Sequence, residues 1–155
     1  MDQCTSGSEE PPSSDDKCNH NRERIEGKEY KGENHCFSNL VSKDGAAIKA
    51  VDARLEIKKC TFKGCSSVKN GGAIYSSYSN EDCTFIIESC TFDNCYSGSI
   101  GGAVYFSNVH ASKSSINNCA FTNNTAALNA GALYFAPCSN SRLTNCQFIN
   151  NTCGG

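Results

Sequence analysis

An all-β solenoid, a right-handed parallel β-helix of about four coils with roughly three short strands in each, is the fold class the sequence predicts. Three observations carry it. The stretch Cys60-Thr61-Phe62-Lys63-Gly64-Cys65 returns as Cys90-Thr91-Phe92-Asp93-Asn94-Cys95, as Cys119-Ala120-Phe121-Thr122-Asn123-Asn124 and as Cys146-Gln147-Phe148-Ile149-Asn150-Asn151. A second motif alternates with it: Gly71-Gly72-Ala73-Ile74-Tyr75, Gly101-Gly102-Ala103-Val104-Tyr105 and Ala130-Gly131-Ala132-Leu133-Tyr134, with a worn copy at Gly45-Ala46-Ala47-Ile48. The phenylalanines of the first motif recur at intervals of 30, 29 and 27 residues. Between the motifs, apolar residues alternate with period two and helical spacing is absent, which is the strand signal.

Residues 1–34 read as a disordered polar tail or linker, ahead of a β-helix repeat domain over 35–155. The tail holds nine acidic and five basic residues, a net charge of −4, so the remainder carries +2. Glu9-Glu10-Pro11-Pro12-Ser13-Ser14-Asp15-Asp16 is acidic and broken by proline, with too little apolar surface to offset its ordering entropy.

Within the domain each repeat divides into three runs. The first set is Ala47–Val51, Arg54–Lys58 and Cys60–Phe62; the next is Ala73–Ser77, Thr84–Glu88 and Cys90–Phe92. The third is Ala103–Ser107, Ser114–Asn117 and Cys119–Phe121, and the fourth is Ala132–Ala136, Ser141–Thr144 and Cys146–Phe148. Stacking parallel strands about 4.8 Å apart turns equivalent positions into columns. Ile48/Ile74/Val104/Leu133, Ile57/Ile87/Ile116/Leu143, Cys60/Cys90/Cys119/Cys146 and Phe62/Phe92/Phe121/Phe148 never admit a charge and belong inside. The column Gly64/Asn94/Asn123/Asn150 admits only glycine and asparagine, the residues that tolerate positive φ, and so predicts a left-handed turn after the Phe strand. Loop length varies only after the first strand, at Tyr78–Cys83 and Asn108–Lys113, which marks a sector free to diverge.

The paired motifs resemble the GGA(I/L/V) and FxxN repeats of chlamydial polymorphic outer membrane proteins, and similar repeats of protist surface proteins, over roughly residues 36–153. The resemblance implies a surface-displayed, adhesive β-helix without catalysis. Cys65 and Cys95 stand where the motif has Asn, and Ala46 and Ala130 where it has Gly.

Composition narrows the function. Fourteen basic and 16 acidic residues leave a net charge of −2, no footprint for nucleic acid. No apolar run approaches the ~20 residues that span a bilayer, so direct membrane insertion is not expected. Met1–Thr5 lacks the basic and apolar segments of a signal peptide, and the last motif stops without a polar cap, so the chain reads as a fragment truncated at its C-terminal end. Twelve cysteines point to an oxidising compartment, although the repeat itself accounts for several. Localisation is expected at the cell surface or outside the cell, within a longer protein; the alternative is cytoplasmic.

Candidate sites follow from the columns. Tyr75, Tyr105 and Tyr134 share a column with Lys49, which turns it outward, and form a candidate ladder for a protein or glycan partner. Cross-strand stacking is the plainer reading of the same ladder. Cys65 and Cys95 fall one coil apart, within reach of a disulfide. Asn123 and Asn150 head Asn-x-Thr glycosylation sequons. The paired cysteines are separated by four residues, a loose fit for zinc, so neither metal nor cofactor is expected. The carboxylates Asp44, Asp52, Glu56, Glu81, Asp82, Glu88 and Asp93 do not pair by column as acid–base catalysis requires. The leading expectation is a non-enzymatic surface or adhesion module. An intracellular scaffolding β-helix comes second and a carbohydrate-active enzyme third. Neighbouring coils, or another copy of the chain joined end to end, are further expected partners.

Overall fold

The structure is a computed structural model that describes residues 18–79, 84–109, 114–138 and 141–155. Among these residues every regular element is a strand. The first coil holds β1 (Glu23–Glu26), β2 (Glu29–Glu33), β3 (Cys36–Ser38) and β4 (Val41–Ser42). The second holds β5 (Ile48–Val51), β6 (Arg54–Lys58), β7 (Thr61–Lys63) and β8 (Ser66–Ser67). In the third are β9 (Ile74–Ser77), β10 (Phe85–Glu88), β11 (Thr91–Asp93) and β12 (Tyr96–Ser97). The fourth comprises β13 (Val104–Val109), β14 (Ser115–Asn117), β15 (Ala120–Thr122) and β16 (Thr125–Ala126). The last runs through β17 (Leu133–Cys138), β18 (Arg142–Thr144), β19 (Gln147–Ile149) and β20 (Thr152–Cys153). Each strand pairs in parallel with its counterpart one coil away, building four 5-stranded sheets. The fold is the parallel β-helix that the repeats predict.

Two details differ from the sequence reading. A coil carries four strands, not three: the two-residue strands such as Tyr96–Ser97 follow the Asn turn and pair with Ser66–Ser67 and Thr125–Ala126. Period-two alternation cannot register over two residues. The assignment of 1–34 to a tail also fails from residue 18 on, because β1 pairs with β5 and β2 with β6. These strands are mostly polar; they add an edge to the sheets of β5 and β6 and set the partly buried Ile25 and Tyr30 against the core. Residues 1–17 lie outside the described residues, as does most of the two variable loops, at 80–83 and 110–113.

The core is columnar. Phe37, Phe62, Phe92, Phe121 and Phe148 stack ring on ring with centroids 4.9, 4.6, 4.7 and 4.8 Å apart and planes within 5° of parallel. Phe85, Phe106 and Phe135 form a second aromatic cluster against another wall. The chain turns where side chains tolerate it: Asn39, Gly64, Asn94, Asn123 and Asn150 all have φ between 54° and 63°, as their column predicts. A second left-handed column, Asn34, Lys59, Ser89, Asn118 and Asn145, precedes the Phe strand. In the Gly-Gly motif the first glycine is required by its positive φ as well as by close backbone approach, the second by close approach alone. Gly71 and Gly101 supply φ of +66° and +75°, whereas a Cβ on Gly72 would stand 2.1 Å from the carbonyl oxygen of Gly102 in the next coil.

Cys65 and Cys95 do not form a disulfide; both are buried free thiols. They point inward at the position filled by Asn124 and Asn151 in later coils. Their sulfurs donate to the carbonyls of Phe37 at 3.8 Å and Phe62 at 3.7 Å. Among the described residues a bridge joins Cys18 to Cys36, with Cα atoms 4.6 Å apart.

Candidate functional site: an outward tyrosine column

Alternation along β9, β13 and β17 places Ile74, Val104 and Leu133 toward the interior and Tyr75, Tyr105 and Tyr134 outward, half-buried. Register extends the tyrosine column through Lys49 to Arg24, since Tyr75 pairs with Lys49 and Lys49 with Arg24. Rings of Tyr75 and Tyr105 lie 5.3 Å apart at 5°, and those of Tyr105 and Tyr134 5.1 Å apart at 5°. The Lys49 ammonium caps the bottom ring, 5.7 Å from the Tyr75 centroid, and sits 3.8 Å from Asp44 Oδ2. Arg24 reaches sideways, donating from Nη2 to Ser42 Oγ at 2.8 Å.

This geometry decides what the column can offer. Tyr75 and Tyr105 have their ring faces taken by neighbouring rings and by Lys49, so along the column the outside meets ring edges and phenol oxygens. Aromatic edges are the positive part of the quadrupole. Burial, then the neighbouring Tyr75 and Tyr134, push the Tyr105 phenol above its ordinary value and keep it a hydrogen-bond donor. A row of donors and positive edges with two cations at one end suits an oxygen-rich surface. It is poorly suited to a flat sugar face stacking on a ring.

The other candidates are spread over the molecule. Asn123 and Asn150 are exposed on the left-handed turn in successive coils, with Asn123 Nδ2 3.5 Å from Asp93 Oδ1. Glu56 and Glu88 share one cation, Lys58, whose Nζ is 2.9 Å from Glu56 Oε2 and 3.9 Å from Glu88 Oε1. The Lys58 hydrogen bond holds the Glu56 carboxyl below its usual range. With Lys31 3.5 Å from Glu56, these charges form an alternating ladder that aligns coils. Glu81 and Asp82 lie outside the described residues.

Sequence reasoning missed Arg24 because it stands in the segment assigned to the tail. It also missed a cluster at the N-terminal end, where His20 and His35 stack 3.8 Å apart, His20 Nε2 meets Glu23 Oε1 at 3.1 Å and Tyr30 Oη lies 3.3 Å from His35 Nδ1. Only the register of β1 and β2 brings these together. Among the described residues no group of three or more His, Cys, Asp or Glu is arranged to hold a metal ion, and no helix is long and apolar enough to cross a membrane.

Neither the curated proteins nor the solved structures yield a match to this chain. The family model for a right handed beta helix region matches residues 44–155, all of the second to fifth coils. On that match, and on the stacked parallel coils that bear it out, the chain belongs to the right-handed β-helix family.

Proposed function

We propose that the chain is a non-enzymatic binding module of a larger surface-displayed protein, of the kind found in polymorphic outer membrane proteins, and that the tyrosine column is its docking face for a protein or glycan. The observation that carries this reading is the unbroken outward column from Arg24 through Lys49 to Tyr75, Tyr105 and Tyr134. The carboxylates support it from the other side: Glu56 and Glu88 share Lys58, and Asp44 is held by Lys49 and by the Asn70 amide. Phe148 and Leu143, each 44% exposed on the last coil, face the direction in which a neighbouring coil or a second copy stacks. Replacing all three tyrosines by serine should abolish binding to a panel of immobilised glycans and surface proteins while circular dichroism stays unchanged. A variant that binds as the parent does sinks the proposal.

The intracellular scaffold remains the second reading, favoured by the free thiols, among them the exposed Cys153. The Cys18–Cys36 bridge favours an oxidising compartment instead. A thiol count on the protein isolated under acid-quenched, non-reducing conditions separates the two. Twelve free thiols would remove the extracellular reading.

A further inference from the structure

The two ends of the aromatic column are unlike. Phe148 at one end is 44% exposed, whereas Phe37 at the other is fully covered although no further coil lies beyond it among the described residues. What covers Phe37 is the segment leading into β1. The His20 ring meets Phe37 edge-on, with centroids 4.8 Å apart at 82°, and is itself stacked at 14° on His35. His35 makes a second edge contact with Phe37 at 6.2 Å. The segment is tied down at Cys18, bridged to Cys36, and by the His20 amide donating to the Cys36 carbonyl at 2.9 Å.

We propose that the Cys18–Cys36 disulfide is a redox latch that holds His20 as a lid over the Phe37 end of the column, and that reducing it frees the lid and opens that end of the solenoid. The two sulfurs are placed for this. Cys36 is buried and Cys18 is half-exposed, so a thiol reductant attacks at Cys18 and Cys36 leaves as the thiolate. A second reductant thiol then resolves the mixed disulfide. The reductant pair is oxidised to its own disulfide, both cysteines end as thiols, and two electrons and two protons are transferred. Once the bridge is gone the lid keeps the His20 contacts to Phe37, His35 and Glu23 and its one backbone hydrogen bond to Cys36, and the coil beneath is an edge of short, mostly polar strands. Local opening is therefore confined to β1–β3, while the inner coils keep partners on both sides.

Amide hydrogen exchange on the oxidised full-length chain, with and without dithiothreitol, tests the proposal beside the variant Cys18→Ser. The expected result is at least tenfold faster exchange over 23–26 and 36–38 in the reduced chain and in Cys18→Ser, with Thr91–Asp93 unchanged. Dithiothreitol should have no further effect on 23–38 in Cys18→Ser, which separates this bridge from any other cysteine. His20→Ala with the bridge intact should raise exchange at Phe37 as well, because it removes the lid and leaves the latch. Equal protection in the oxidised chain and Cys18→Ser overturns the proposal, and so does a loss of protection that extends to Thr91–Asp93. These readouts involve no ligand, so they are independent of the tyrosine face.

Discussion

Cys95 donates its thiol hydrogen to the carbonyl of Phe62, one coil below, across 3.7 Å. Asn124 makes the equivalent bond one coil later, from Nδ2 to the carbonyl of Phe92 at 3.0 Å, and its Oδ1 accepts from the Cys95 amide at 2.9 Å. Thiol and amide thus do one structural job with unequal strength. Cys95→Asn is expected to be neutral or to stabilise by up to about 1 kcal/mol, since it extends a satisfied amide ladder. Asn124→Ala leaves the Phe92 carbonyl and the Cys95 amide without these partners, and should cost about 2–4 kcal/mol in urea unfolding. A destabilised Cys95→Asn would show that the column is too narrow for the amide at that coil.

The Phe ladder predicts a gradient. Phe92 is sandwiched between Phe62 and Phe121 at 4.6 and 4.7 Å, so Phe92→Ala should lower stability by about 3–5 kcal/mol. Phe148 has a ring on one side only and is partly exposed, so Phe148→Ala should cost less than about half of that. Phe92→Asp is expected to disrupt the middle coils altogether, seen as lost β-sheet dichroism. A parent-like melting temperature for Phe92→Asp would contradict the inward register.

Ala130 occupies the first glycine position of its motif with φ of 60°. A side chain there costs about 1–2 kcal/mol in left-handed backbone, so Ala130→Gly should raise stability by about 1 kcal/mol. The reverse exchange at Gly101 should be destabilising for two reasons, its φ of +75° and a new Cβ 2.5 Å from the Val104 carbonyl oxygen. Thermal melts of both variants check the pair, and a destabilised Ala130→Gly would refute the account.

Partial burial, then the neighbouring His20, holds the pKa of His35 below the ordinary histidine value, with Glu23 opposing. Burial meanwhile keeps the Tyr30 phenol protonated, and it faces His35 Nδ1. A lowered folded pKa means that the unfolded chain binds the extra proton first. The stability from neutral His35 is present above about pH 6.5 and is lost as the pH falls through its folded value. Melting temperature should drop from about pH 7.5 to about pH 5.5, and His35→Gln should flatten that slope. An unchanged slope in the variant would assign it to another group.

The thiols should divide by depth. Burial pushes Cys90 and Cys95 well above the ordinary thiol value, and Cys60, Cys65 and Cys119 are equally enclosed. Native alkylation should label exposed Cys153 at once and these five only after unfolding. Mass spectrometry of the labelled peptides reads the order, and fast labelling of Cys95 would mean that the core opens there.

What the sequence determined by itself was everything the repeat states more than once. Phe62, Phe92, Phe121 and Phe148 set the coil length, the apolar columns set the inward face, and the Gly/Asn column set the left-handed turn, because each position is tested again one coil later. Features that occur once had no such check. β1 and β2 are short and mostly polar, with Ile25 and Tyr30 as their apolar contacts to the core, and their order comes largely from pairing with the edges of β5 and β6. The Cys18–Cys36 bridge ties a residue ahead of the first strand to the Phe strand of the first coil, a pairing that no later coil repeats among the described residues, and the direction of the Cys65 and Cys95 side chains depends on carbonyls one coil away. The tyrosine column was legible as a column, but only the stacked coils show rings lying face to face, so that the faces of Tyr105 are covered and its edge and hydroxyl point outward. Local pattern specifies which way a strand residue points. What that residue then touches is decided by the coil above and the coil below.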